Sequence, residues 1–152
     1  MRYERRLMNP EDIQEIVQMN LREMDKLEIE AGSGLLAPCA LLKAVEMSCK
    51  VWVITLDSRI VGIFGVASNE EGSGNPWLLG TEEMIAIPRR FLRESKRIVE
   101  EMEQMFSLLW NYVCEENTAA LEWLEFLGFT IGYDQRMKIG KLIFVPFTKL
   151  KE

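Results

Sequence analysis

No histidine occurs among the 152 residues, and that absence removes a large share of enzyme chemistry. Ser–His and Cys–His nucleophile pairs, a histidine general base and every histidine-ligated metal site are excluded. Cys39, Cys49 and Cys114 are too few and too widely spaced for a zinc cluster, so no metal site is expected. Their odd number argues against a disulfide framework and for a reducing compartment. Small buried or half-buried thiols are the plain expectation. The densest charge cluster is Arg89, Arg90, Arg93, Lys96 and Arg97, followed by Glu100, Glu101 and Glu103. A helix dipole prefers acids first and bases last, so this order is reversed. Either an anion sits at the start of that helix, or the charges form a solvated face with local ion pairs. Spacing alone favours the second.

The elements that would position these groups are legible as periodic runs. An extended start is followed by Asn9-Pro10, a cap and a residue suited to the first helical position. Ile13, Ile16, Val17, Leu21 and Met24 then recur at helical spacing, up to Ala31-Gly32-Ser33-Gly34. A second helix is expected over 37–48, with Leu41, Leu42 and Val45 inward. Val51–Thr55 and Ile60–Val66 read as a hairpin about Asp57-Ser58-Arg59. Residues 68–75 read as an exposed loop, and Pro76–Thr81 as a further strand. A long helix should run from Pro88 to about Met105, with Phe91, Leu92, Ser95, Ile98, Val99, Met102 and Met105 on one face. Leu108–Val113 is the next strand, and Asn117 caps a helix over 118–127 that Gly128 stops. Phe129–Tyr133 and Leu142–Phe147, turning at Gly140-Lys141, close the chain as two strands.

That order predicts an α/β layer with a mixed sheet and helices on both faces, in one domain over 1–152. A domain of this length buries roughly 68–70% of its unfolded surface, enough for a core without staples. Apolar residues make up 48% and charged residues 28%, the composition of a globular chain and not a disordered one. The net charge of −6 argues against nucleic acid and against an anionic membrane surface. No apolar run of signal-peptide length follows Met1–Arg6, and none approaches the ~20 residues that span a bilayer. A cytosolic protein without membrane contact is expected. Trp52, Trp77, Trp110 and Trp123 stand among apolar neighbours and read as core.

The stretch from Val51 to Phe129 resembles the GNAT superfamily of acyl-CoA N-acyltransferases. The hairpin is similar to its second and third strands, and 76–86 stands at the fourth strand, which in that superfamily binds the pantetheine arm through its backbone. The helix from Pro88 corresponds to the one whose N-terminus receives the cofactor pyrophosphate. Asn117-Thr118-Ala119-Ala120 through Leu127-Gly128-Phe129 resembles the C-terminal signature. A narrower resemblance rests on Pro76–Thr81, Arg89–Ser95, Leu109–Val113, Asn117 and Trp123–Phe129. These are similar to a bacteriophage group of small GNAT-like proteins encoded among head and DNA-packaging genes, the group that includes the podophage internal virion protein A. The resemblance implies acetyl-CoA as a cofactor, held by Arg89, Arg90, Arg93 and Asn117. It also implies a phage protein in the host bacterial cytoplasm, with a place in the virion.

Two positions depart from an enzyme of that superfamily. Its Arg/Gln-x-x-Gly-x-Gly/Ala loop corresponds to Arg89-Arg90-Phe91-Leu92-Arg93-Glu94-Ser95, which has no glycine. Without glycine, backbone amides cannot come as close to phosphates. Arginines could supply charge instead, although Glu94 would repel a diphosphate. The tyrosine that many members carry seven residues after the asparagine is Leu124 here; Tyr112 and Tyr133 are the phenols that could replace it. By resemblance, Glu82 and Glu83 stand where a glutamate can activate the amine, provided burial raises its pKa. The plain alternative is a solvated acidic pair. These departures favour a protein with a degenerate acyl-CoA loop that acts by contact with a phage virion or host bacterial protein; the alternative is acetyl-CoA-dependent N-acetylation of a host protein or small amine. Nucleic-acid binding rests only on the basic cluster and runs against the net charge.

Overall fold

The computed structural model describes residues 1–69 and 71–151. Glu70, within the stretch read as a loop, and Glu152 lie outside the described residues. Strand β1 (Tyr3–Leu7) leads into a 3-10 turn, Pro10–Asp12, and then α1 (Ile13–Val17), α2 (Glu23–Ser33) and α3 (Ala37–Met47). Strands β2 (Ser48–Leu56), β3 (Arg59–Ser68) and β4 (Gly74–Gly80) follow, then α4 (Pro88–Met105), β5 (Leu108–Cys114) and α5 (Thr118–Phe126). The chain closes with β6 (Thr130–Ile131), β7 (Met137–Ile139) and β8 (Leu142–Leu150). No helix of the described residues is long and apolar enough to cross a membrane.

The sheet runs β1-β2-β3-β4-β5-β8-β6, with β7 also on β8. Every pairing is antiparallel except β4 with β5, which is parallel and has a single register pair, Gly74 with Leu109. Beyond that pair the two strands part. Two cores cover the sheet. On one face Phe91, Ile98, Val99 and Met102 of α4 and Leu121 of α5 pack on Trp52, Ile54, Phe64 and Val113. On the other, Ile16 and Leu41 pack on Val53, Ile63 and Leu79. The expected mixed α/β layer with helices on both faces is the fold.

Local chemistry explains the element ends. Asp57 and Ser58 both have positive φ (49° and 69°), the two-residue geometry that matches strand twist in a tight hairpin. Pro88 opens α4, and Gly128 at φ 94° stops the chain after α5. The backbone N–H of Asn9 donates to the Asp12 carboxylate at 2.8 Å, and Arg6 clamps that carboxylate with two bonds.

Several expectations are corrected. The first helical stripe is two helices, because the chain breaks at 18–22 and the Arg22 N–H donates to the Gly80 carbonyl of β4. Leu42 is exposed, not inward, and Met105 is 40% exposed at the end of α4. The strand expected over 129–133 is only Thr130–Ile131, and β7, which was not expected, makes the last hairpin. Part of the charge on α4 is matched across elements: Arg5 of β1 reaches Glu94 at 3.1 Å and Glu101 at 2.8 Å, and Arg90 donates to the Tyr3 carbonyl.

Candidate functional site in the β4–β5 fork

The parting of β4 and β5 opens a cleft of about 680 Å3 that passes from one face of the sheet to the other. Its walls are mostly apolar. Phe64, Leu78, Phe91, Val99 and Trp123 line one side, and Ile29, Ala40, Ala44, Met47 and Trp77 the other. Such a volume suits a small molecule or the arm of a larger one. A Cβ at Gly65 would run into the Trp77 indole, so glycine there lets the ring lie flat on β3. Ser48 then accepts the indole N–H at 2.8 Å.

Helix α2 closes the wide end of the fork. One Asp25 oxygen accepts from Gly80 N–H of β4 at 2.9 Å, and the other accepts from Arg22 at 3.0 Å. Glu28 accepts from Cys114 N–H of β5 at 3.1 Å and from Asn117 Nδ2 at 2.9 Å, both through Oε1. Its Oε2 has no hydrogen-bond partner among the described residues and is not sealed from the cleft. Burial pushes the Asp25 carboxyl up to about 6, against the pull of Arg22. Burial pushes Glu28 up to about 7, against its bonds to Asn117 and Cys114. The Arg22 guanidinium lies 4.9 Å over the Trp123 ring, which packs edge-to-face with Phe91 at a centroid distance of 4.8 Å.

Of the residues singled out in the sequence, the structure brings Asn117 and Tyr112 to this cleft. Asn117 also caps α5 by accepting from Ala120 N–H. Tyr133 stands apart, donating to Glu125 on the surface at 2.7 Å. Glu83 forms a bidentate pair with Arg59, which lowers its pKa, and Glu82 is exposed. Arg90 turns under β1, donates to the Tyr3 carbonyl and lies 5.7 Å from the Tyr3 ring. Arg89 and Arg93 are exposed near the start of α4, with Arg93 3.8 Å from Glu94. Sequence reasoning passed over Asp25, Glu28 and Asn111. The signal for the first two was helical spacing: Leu21, Asp25, Glu28 and Gly32 share one stripe, so two carboxylates fall on an inward face. Among the described residues no group of three or more Cys, Asp or Glu is placed to hold a metal ion.

The fold has clear likenesses among solved structures. A GNAT-family acetyltransferase from Streptococcus pneumoniae superposes with a TM-score of 0.68 at 15% identity, covering 99% of this chain and 100% of that one. A spermidine N-acetyltransferase from Vibrio cholerae, solved with CoA and spermine, gives 0.74 at 13% identity, covering 98% and 95%. A putative acetyltransferase from Salmonella typhimurium, solved with acetyl-CoA, gives 0.70 at 11% identity, covering 100% and 95%. No family model and no curated protein matches the sequence. The architecture is that of the GNAT acyl-CoA N-acyltransferases.

Proposed function

We propose that this GNAT-fold chain is an acyl-CoA-dependent N-acyltransferase in which Glu28 is the general base for an amine acceptor. One observation carries the reading. Glu28 is fixed in the cleft by one oxygen, free at the other, and pushed up to about 7 by burial. An amine arrives mostly protonated at neutral pH, and a base whose pKa lies near the working pH removes that proton best. Tyr112, on the strand opposite Leu78, is the phenol the cleft offers to a leaving thiolate.

The residues fit the arm of the cofactor. On the β4 edge that faces β5, strand alternation leaves the Leu78 N–H and C=O turned to the cleft. Phe91 and Trp123 wall the same space. Helix α4 has no side-chain cap and begins with proline, so the Arg89 and Arg90 amides are its open donors, with the Arg89 and Arg93 side chains beside them. When bound, the cofactor supplies an activated acyl thioester. Glu28 takes the proton of the acceptor, and the cleft walls exclude water.

A second reading is favoured by Arg90, whose guanidinium is committed to β1, and by the glycine-free start of α4. Under it the chain keeps the fold and acts by contact with a phage virion or host bacterial protein. The relatives named above come from bacteria, and none is described as a virion protein. Calorimetric titration with acetyl-CoA, followed by CoA release against a panel of amines, separates the two. The transferase reading expects micromolar binding and turnover that Glu28→Gln lowers by roughly 10²–10⁴, with the pH-rate limb near 7 abolished. Absence of binding at millimolar acetyl-CoA overturns it in favour of contact.

A further inference from the structure

We infer that the Asn111 carboxamide holds the place of a ligand amide: it bridges the β4–β5 fork, gives way when an amide-bearing arm lies along β4, and so sets the affinity of the cleft. The inference deepens the acyl-CoA reading and rests on it for the identity of the arm.

The geometry of the fork carries it. Thr81 N–H bonds to the Val61 carbonyl of β3, so strand alternation turns residues 76, 78 and 80 of β4 toward β5. Pro76 has no N–H, and its carbonyl accepts from Asn111 Nδ2 at 2.9 Å. The other end of the same carboxamide, Asn111 Oδ1, accepts from Tyr112 N–H of β5 at 2.8 Å. One side-chain amide thus donates to one strand and accepts from the other. A peptide unit of an intervening strand would make the same pair of bonds. Asn75 staples the narrow end by donating to the Trp110 carbonyl at 2.9 Å. At the wide end Asp25 and Glu28 hold Gly80 and Cys114. Between these staples the Leu78 peptide has no side-chain partner among the described residues.

A secondary amide entering beside Leu78 in extended form reaches Pro76 O and Tyr112 N–H only where the Asn111 carboxamide now sits. The two compete for the same donor and acceptor. Each pair of bonds the ligand gains is a pair Asn111 loses, so binding is weakened by the exchange. Removing the carboxamide has two linked effects. The ligand-free chain loses two bonds and melts earlier, while the arm meets an open donor and acceptor and binds more tightly. A residue that served only as a structural staple would give the first effect without the second. A residue that contacted the ligand directly would give weaker binding.

The test compares the parent with Asn111→Ala, and with Asn111→Leu, which fills the space without an amide. Pantetheine and acetyl-CoA are titrated by calorimetry, and melts are recorded with N-methylacetamide, a secondary amide with no thiol or nucleotide. The inference expects Asn111→Ala to bind pantetheine about five- to tenfold more tightly than the parent. Its melting temperature should rise with N-methylacetamide by more than that of the parent, and Asn111→Leu should show neither gain. Pantetheine binding by Asn111→Ala that is equal to or weaker than the parent's overturns the inference, even if acetyl-CoA binds and the transferase reading stands. If neither protein binds acetyl-CoA, that reading fails. The selective response of Asn111→Ala to N-methylacetamide then still upholds the amide subsite, and its absence overturns it.

Discussion

Arg90 and Arg93 lie one helical turn apart on α4 and have different occupations. Arg90 is half-buried, donates to the Tyr3 carbonyl and leaves its Nε without a partner among the described residues. Its removal leaves a buried carbonyl unpaired, while also removing a desolvated charge that is only partly satisfied. Arg90→Ala should therefore lower stability by about 1–2 kcal/mol. The Arg93 side chain is 54% exposed with a loose contact to Glu94, so Arg93→Ala should stay within about 0.5 kcal/mol. Urea unfolding of the two variants tests this, and equal midpoints would defeat it. If α4 receives phosphates, the titration with acetyl-CoA should weaken in Arg93→Ala at unchanged stability. Of the two, Arg93 offers the clean reading, since Arg90 confounds binding with folding.

Among the elements, those with strong local signals were readable from the sequence. Helix α4 runs from its proline to Met105 as the 3.6-residue stripe requires, and α5 begins at the Asn117 cap and ends before Gly128. The hairpin about Asp57-Ser58 was equally plain. The α1–α2 break was not, because periodicity continues across it, while the chain turns off at Gln18 and Met19 and the Arg22 N–H goes to Gly80. Strand β7 is a three-residue, largely exposed segment with no apolar alternation to announce it. The candidate site suffered for the same reason: Asp25 and Glu28 acquire their environment from β4 and β5, which no local pattern contains. Asn117 shows the coupling best, since one side chain caps α5 and also donates to Glu28 on α2. Asn117→Ala should cost about 1–2 kcal/mol through the lost cap. It should also move the Glu28 carboxyl further upward, because the Asn117 bond is the largest of the effects that pull it down. The pH-rate limb assigned to Glu28 should then shift to higher pH; a shift to lower pH would contradict the arrangement.

At the scale of the whole molecule, the same two carboxylates should shape stability against pH. Asp25 is raised from 3.8 to about 6 and Glu28 from 4.5 to about 7, burial being the largest cause for both. An acid whose folded pKa lies above its unfolded value binds protons more tightly when folded. Between the two values the folded chain therefore carries more protons, and stability falls as pH rises. For Asp25 that window is about pH 4 to 6, and for Glu28 about 4.5 to 7. The opposite sign holds for Asp12, whose pKa Arg6 lowers: its contribution is present above its unfolded pKa and lost as pH falls. The sum places the stability maximum on the acid side of neutrality, near pH 5, with a decline toward pH 7.5. At 1.36 kcal/mol per unit, the rise of Glu28 corresponds to about 3 kcal/mol at most, and the neighbouring Asp25 shares part of it. A cleft that buries two carboxyls thus lowers the stability of the chain at neutral pH. Glu28→Gln retains an oxygen for Cys114 and Asn117 but cannot ionise, so it should flatten the decline by about 2 kcal/mol between pH 5 and 7.5. Urea unfolding of parent and variant across that range is the measurement. A parent equally stable at both ends, or a variant with the parent's slope, would show that Glu28 ionises in the folded chain as it does in water.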